Sequence, residues 1–225
     1  MGDRAGIIDA MSDASLHVFD RPGRAWLAFA GLLALASVLA RAWPAAALDW
    51  QPALALAEPW RWWTAAWVHG SRAHLMLNVG GAVLVGALGW AGRVPLHSAL
   101  AWALAWPLTQ LGWLLGPPLA HFFGLSGVLH AGVAVLAVHL VCGAKGVGRW
   151  IGAGLLLGLA LKLALEQPFG PVLRESPALG IAVAPWSHFC GAVAGLGSAL
   201  LVRVLEGPRR RRVRATASTA RVRSP

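Results

Sequence analysis

The chain has 225 residues, 57% of them apolar and only 12% charged, with a mean hydropathy of +0.62; this excludes a soluble domain of that size and points to a bilayer. The net charge of +10 does not argue for a nucleic-acid partner. Eight of the 19 Lys and Arg residues lie from Arg203 onward, in a juxtamembrane tail of the kind that touches anionic lipid.

Residues 1–24 are polar and are expected to form a cytoplasmic N-terminal segment. The first apolar run, Trp26 to Ala40, reads as a membrane span. A cleaved signal peptide ending near Ala45 to Ala47 is the competing reading, disfavoured by the long polar leader. Further spans are expected at Ala73 to Trp90, Leu96 to Leu115, Ser126 to Gly143, Trp150 to Leu165 and Pro185 to Leu205, each near the length a bilayer core requires. Breakers separate them: AGRVP, GPP, GAKGVGR and the long QPFGPVLRESPALG. The predicted fold is therefore an all-α membrane protein, a six-helix domain over 25–206 followed by a basic cytoplasmic tail over 207–225.

An even number of spans places both termini on one side, and the basic tail makes that side cytoplasmic. Fourteen basic residues then fall inside and five outside; without those from Arg203 onward the count is six against five, so the tail decides the orientation. The segment from Arg41 to Arg72 is predicted to lie outside. Its Trp60, Trp63 and Trp67 have the spacing of one helical face, expected to rest in the head-group layer. Thirteen tryptophans and 27 glycines suit such a chain, tryptophan as interfacial anchor and glycine for close helix approach. Cys142 and Cys190 are far apart in apolar surroundings and read as packing residues.

Polar side chains inside spans are costly and therefore informative. His74 and Asn78 open span two, Ser126 and His130 open span four, and His188 opens span six. All three spans run from outside to inside, so these residues share one depth near the outer surface. A serine hydroxyl becomes a nucleophile when a base takes its proton, and Ser126 with His188 supplies that pair. Asn78, with His74 one turn away, can donate to the oxyanion that forms on an attacked carbonyl, assisted by backbone N–H groups at the start of span four. The acidic residues all lie in loops, tails or helix ends, so a Ser–His dyad without a carboxylate is expected, Glu166 serving only as the partner of a snorkelling Lys162. There is no H-E-x-x-H for zinc and no pair of embedded aspartates, which excludes zinc-dependent and paired-aspartate hydrolysis, and no metal site is expected. Gly191 and Gly195 share the face of His188 and let span six press against span four. The Gly124-x-Ser126-Gly127 element lacks the last glycine and the preceding strand of a soluble hydrolase elbow.

From Trp60 to Gly195 these residues resemble the rhomboid family of intramembrane serine proteases, in order and in spacing. WRWWT resembles the family's W-R-x-x-T, His69, His74 and Asn78 its H-x4-H-x3-N, GLSG at Gly124 to Gly127 its G-x-S-G, and His188, Gly191 and Gly195 its H-x2-G-x3-G. The resemblance implies a six-helix bundle, Ser126 as nucleophile, His188 as general base, His74 and Asn78 as oxyanion stabilisers, and membrane-anchored proteins as substrates cleaved near the outer face. Where many rhomboids place an aromatic four residues after the nucleophile, this chain has His130, expected to orient or pack on His188. With the short chain and GLSGVLH, this looks like the rhombosortase subgroup, which implies a bacterial inner membrane, a periplasmic active site and substrates bearing a C-terminal Gly-Gly, transmembrane helix and basic cluster. No cofactor is expected. The alternatives are a bis-histidine haem protein using the same histidines and an inactive rhomboid-like protein that binds membrane clients.

Overall fold

The computed structural model describes residues 21–177 and 180–222, from 207 onward as backbone alone. Six long helices dominate: α1 (Arg24–Leu39), α2 (Arg72–Ala91), α3 (Leu96–Leu111), α4 (Ser126–Gly143), α5 (Val147–Glu166) and α6 (Pro185–Val222). Five segments are long and apolar enough to cross a membrane: Arg24–Ala42, Arg72–Ala91, Ser126–Gly143, Val147–Glu166 and Pro185–Glu206. α3 stops at 16 residues and tightens into a 3-10 turn over Gly112–Leu115, so the expected third span is only partly α-helix. The α6 backbone runs on past the expected domain end to Val222, carrying most of the predicted tail as helix. Most of the predicted N-terminal segment, and the tail's side chains, lie outside the described residues.

α4 is the central helix. Apolar residues surround its axis, and 61% of its span is buried against α6, α5, α3 and α2. The closest approach is to α6, where small residues remove the side-chain layer between backbones. A Cβ at Gly191 would overlap the Gly127 carbonyl, and one at Gly195 would meet Ala131 Cα at 2.8 Å. α5 is the peripheral helix, with 11% of its span buried, chiefly Gly152 and Leu159.

The tryptophans divide between core and surface, which the interfacial reading did not anticipate. Trp26, Trp50 and Trp102 are fully buried. In two of them the polar edge is satisfied: Trp26 Nε1 donates to the Val85 carbonyl at 2.9 Å, and Trp102 Nε1 donates to the Val128 carbonyl at 2.7 Å. These two rings meet at 4.5 Å between centroids. Each also fills the notch left by a glycine, Gly89 for Trp26 and Gly132 for Trp102.

Between α1 and α2 the chain forms short helices at Ala45–Leu48 and Arg61–Thr64 with 3-10 turns around them. The expected tryptophan face is broken there. Trp60 and Trp63 are exposed, but the helix ends at Thr64 and the following 3-10 turn carries Trp67 inward onto Trp106, centroids 5.6 Å apart. Buried Arg61 ties this segment together, donating to Asp49 Oδ1 (3.1 Å), the Asp49 carbonyl (2.7 Å) and Glu58 Oε2 (2.7 Å from Nε). Thr64 Oγ1 donates to the Leu48 carbonyl at 2.7 Å. These contacts give the W-R-x-x-T residues a structural task. Between α5 and α6, strands β1 (Arg174–Ser176) and β2 (Ile181–Val183) pair antiparallel, with Arg174 opposite Val183.

Candidate active site

The starts of α2, α4 and α6 converge at one end of the bundle. α2 begins after Ser71, whose side chain accepts from the His74 N–H at 3.0 Å and fixes the first turn. His74 and Asn78 then lie one turn apart, both buried. α4 begins at Ser126 itself, which puts the hydroxyl beside the first N–H groups of the helix, which have no partner within it. Gly124, at φ 128°, shapes the entry to that helix; a Cβ there would be strained and would stand 3.0 Å from His74 Cε1. Its N–H donates to the Ala65 carbonyl at 3.0 Å, linking the serine loop to the segment that Arg61 holds.

His188, one turn into α6, meets Ser126 across the α4–α6 contact. Its Nε2 lies 2.8 Å from Ser126 Oγ. The expected pair is therefore in hydrogen-bonding contact, although 62 residues separate its members. The expected packing partner is also in place: the His130 ring stacks on His188 at 4.2 Å between centroids and 12° between planes. His130 Nδ1–H donates to the Ser126 carbonyl at 2.7 Å, so His130 holds both the backbone of the serine and the face of the histidine.

The other ring nitrogen of His188 corrects the expectation of a site without a carboxylate. Nδ1 is 2.7 Å from Glu166 Oε2, and the other carboxylate oxygen of Glu166 accepts from Lys162 at 2.5 Å. From the sequence alone Glu166 is only a helix-end residue paired with Lys162. The available signal was direction: α5 runs opposite to α4 and α6, so its last residue reaches the level at which those helices begin.

These groups border a cavity of about 970 Å³, bounded by α2, α4, the end of α5 and the β1–β2 hairpin. Ser126, His188, His74, Asn78, Glu166 and Lys162 all line it. His74 Nδ1 and Asn78 Nδ2 are buried without a hydrogen-bond partner among the described residues. Unpaired buried polar atoms are costly unless something arrives to meet them.

No family model and no curated protein matches the chain. The reading of the site therefore stands on its own atoms. His130, Glu166 and His188 each bring a possible metal-ligating atom within 4.8 Å of the others. Both ring nitrogens of His188 are already engaged, however, and His130 Nδ1 is bound to a carbonyl. The stacked His130 and His188 rings leave no gap for a macrocycle between that pair. Beside the site, His69 is buried enough that its pKa falls to about 4, through desolvation first and the neighbouring His74 second, against a raising effect from the Trp67 carbonyl. It is a neutral imidazole at pH 7, its ring edge-on to His74 at 4.7 Å.

Proposed function

We propose that this chain is an intramembrane serine endopeptidase of the rhomboid type, with rhombosortase-like specificity for membrane-anchored proteins that carry a C-terminal Gly-Gly, transmembrane helix and basic cluster. The observation that carries the reading is the 2.8 Å contact between Ser126 Oγ and His188 Nε2 at the edge of a cavity with unpaired donors. A nucleophile and its base in contact are the first requirement of acyl transfer. That contact also weighs against the alternative of an inert client-binding protein.

In this mechanism Ser126 Oγ attacks the scissile carbonyl and its proton passes to His188 Nε2. Negative charge gathers on the carbonyl oxygen, where His74 Nδ1–H, Asn78 Nδ2 and the first N–H groups of α4 can receive it. His188 then protonates the leaving nitrogen as the C–N bond breaks. Water, activated by the same imidazole, hydrolyses the resulting ester and restores Ser126.

The reading includes six membrane crossings. α3 supplies about 24 Å as α-helix, and its 3-10 extension to Leu115 adds about 8 Å, enough for a hydrocarbon core of ~30 Å. The basic tail then places both termini in the cytoplasm of a bacterial inner membrane, with the site opening to the periplasm. The β1–β2 hairpin stands over the cavity as a cap.

The test is co-expression with a reporter bearing the Gly-Gly, transmembrane and basic signal. Wild type should cleave it, and Ser126→Ala and His188→Ala should not. Cleavage retained by Ser126→Ala overturns the protease reading. Labelling of Ser126 by a fluorophosphonate without reporter cleavage keeps the protease and rejects the substrate class.

A further inference from the structure

We infer that Glu166 is a positioning residue for His188, so that the reacting serine is served by three linked side chains rather than two; the inference rests on the protease reading above. An imidazole can act as base only through an unprotonated nitrogen, and which nitrogen that is depends on what the other one meets. An ionised carboxylate can only accept. Glu166 Oε2, 2.7 Å from Nδ1, therefore keeps the proton on Nδ1 and leaves Nε2 open toward Ser126 Oγ.

The surroundings of Glu166 are built to hold it in that role. It is the last residue of α5, at the negative end of the helix dipole, where a carboxylate gains nothing from the helix itself. Capping of that end is done by another residue. Arg174, from the hairpin, donates to the Leu165 carbonyl at 3.2 Å and to Gln167 Oε1 at 2.9 Å. Lys162, one turn back, holds the second carboxylate oxygen, so the side chain is fixed from both sides while His130 fixes the plane of the His188 ring. The charged and titratable groups facing His188 are thus Glu166 and Lys162 from α5 and His130 from α4, with His74 bordering the same cavity from α2.

The chemistry balances without any further reactant. As the bond from Ser126 Oγ to the carbonyl carbon forms, the hydroxyl proton moves to Nε2. The imidazolium keeps its Nδ1 proton, donated to a carboxylate that stays ionised throughout. The Nε2 proton leaves with the amine when the C–N bond breaks, and the deacylating water repeats the cycle. Glu166 touches no reacting atom; it sets the tautomer and stabilises the cation that forms.

The experiment compares wild type, Glu166→Gln, Glu166→Asp, Lys162→Met and Ser126→Ala as full chains in proteoliposomes. It measures kcat and KM on the reporter, together with the rate at which a fluorophosphonate labels Ser126, which needs no knowledge of the substrate. Glu166→Gln should lower kcat and the labelling rate by roughly 10²–10³-fold, less than the ~10⁴ known for a fully buried triad carboxylate, with KM within about twofold. Glu166→Asp should recover at least about tenfold of that loss, since a carboxylate remains within reach. Lys162→Met frees one carboxylate oxygen but spares the one that meets Nδ1, and should lower kcat and labelling by less than Glu166→Gln does. Wild-type kcat and labelling in Glu166→Gln would overturn the positioning role and leave the protease standing. Equal losses in Lys162→Met and Glu166→Gln, with no recovery by Asp, would reduce Glu166 to a structural ion pair. Absence of both cleavage and Ser126 labelling in wild type would remove the protease reading and this inference with it.

Discussion

The α4–α6 contact offers the sharpest test of how packing sets the chemistry. In Gly191→Ala the new Cβ would stand 2.7 Å from the Gly127 carbonyl carbon and overlap its oxygen. Carbon atoms pack best near 3.5–4.0 Å, so the helices must part by at least about 1 Å. The obstacle is backbone, and no rotamer change relieves it. Overpacking of this kind costs about 1–3 kcal/mol. The larger effect should be on rate, because Gly191 lies one turn from His188 and Gly127 is next to Ser126: a displacement of ~1 Å between base and nucleophile costs about 10²-fold. The assay is reporter turnover and fluorophosphonate labelling, with thermal unfolding in detergent measured on the same samples. Gly197→Ala, on the same helix, is the control, since a Cβ there meets no neighbouring element within 4 Å. Gly191→Ala turning over at the wild-type rate, or Gly197→Ala failing equally, would refute the claim that this contact sets the Ser126–His188 distance.

Asn78→Ala should lower kcat by about 10²–10³-fold with little change in KM, measured on the reporter, because its amide is asked to act on the developing oxyanion. Arg61→Ala should destabilise the protein by about 1.5–3 kcal/mol, since it removes charge-assisted hydrogen bonds to the buried Asp49, whose carboxylate keeps Gln51 and His121 as partners; chemical denaturation in detergent would read this, and Arg61→Lys should recover only part of it. His69 predicts a pH effect of definite sign. Its pKa is near 6.5 unfolded and about 4 folded, so the unfolded chain takes up the proton first. The stability present above pH 6.5 should fall as the pH drops toward 4, and His69→Gln should flatten that part of the unfolding-temperature profile.

The sequence by itself determined the helices and where along them their polar residues stand. Apolar runs of fixed length imply spans, and a rise of 1.5 Å per residue converts position along a span into depth. That is why the chain alone groups Ser126, His188, His74 and Asn78, and puts Gly191 and Gly195 on the face of His188. Depth says nothing about which way a helix is turned. The rotation of α5, set by packing at Gly152 and Leu159 and by the turn that Arg174 holds, aims Glu166 at His188. Equally, burial of Trp26 and Trp102 depends on notches at Gly89 and Gly132 in other segments. Spacing within one helix is local geometry and can be read from the chain, whereas the approach of one helix to another comes from side-chain volumes far apart in sequence. Only the tertiary structure could therefore supply the third side chain of the site.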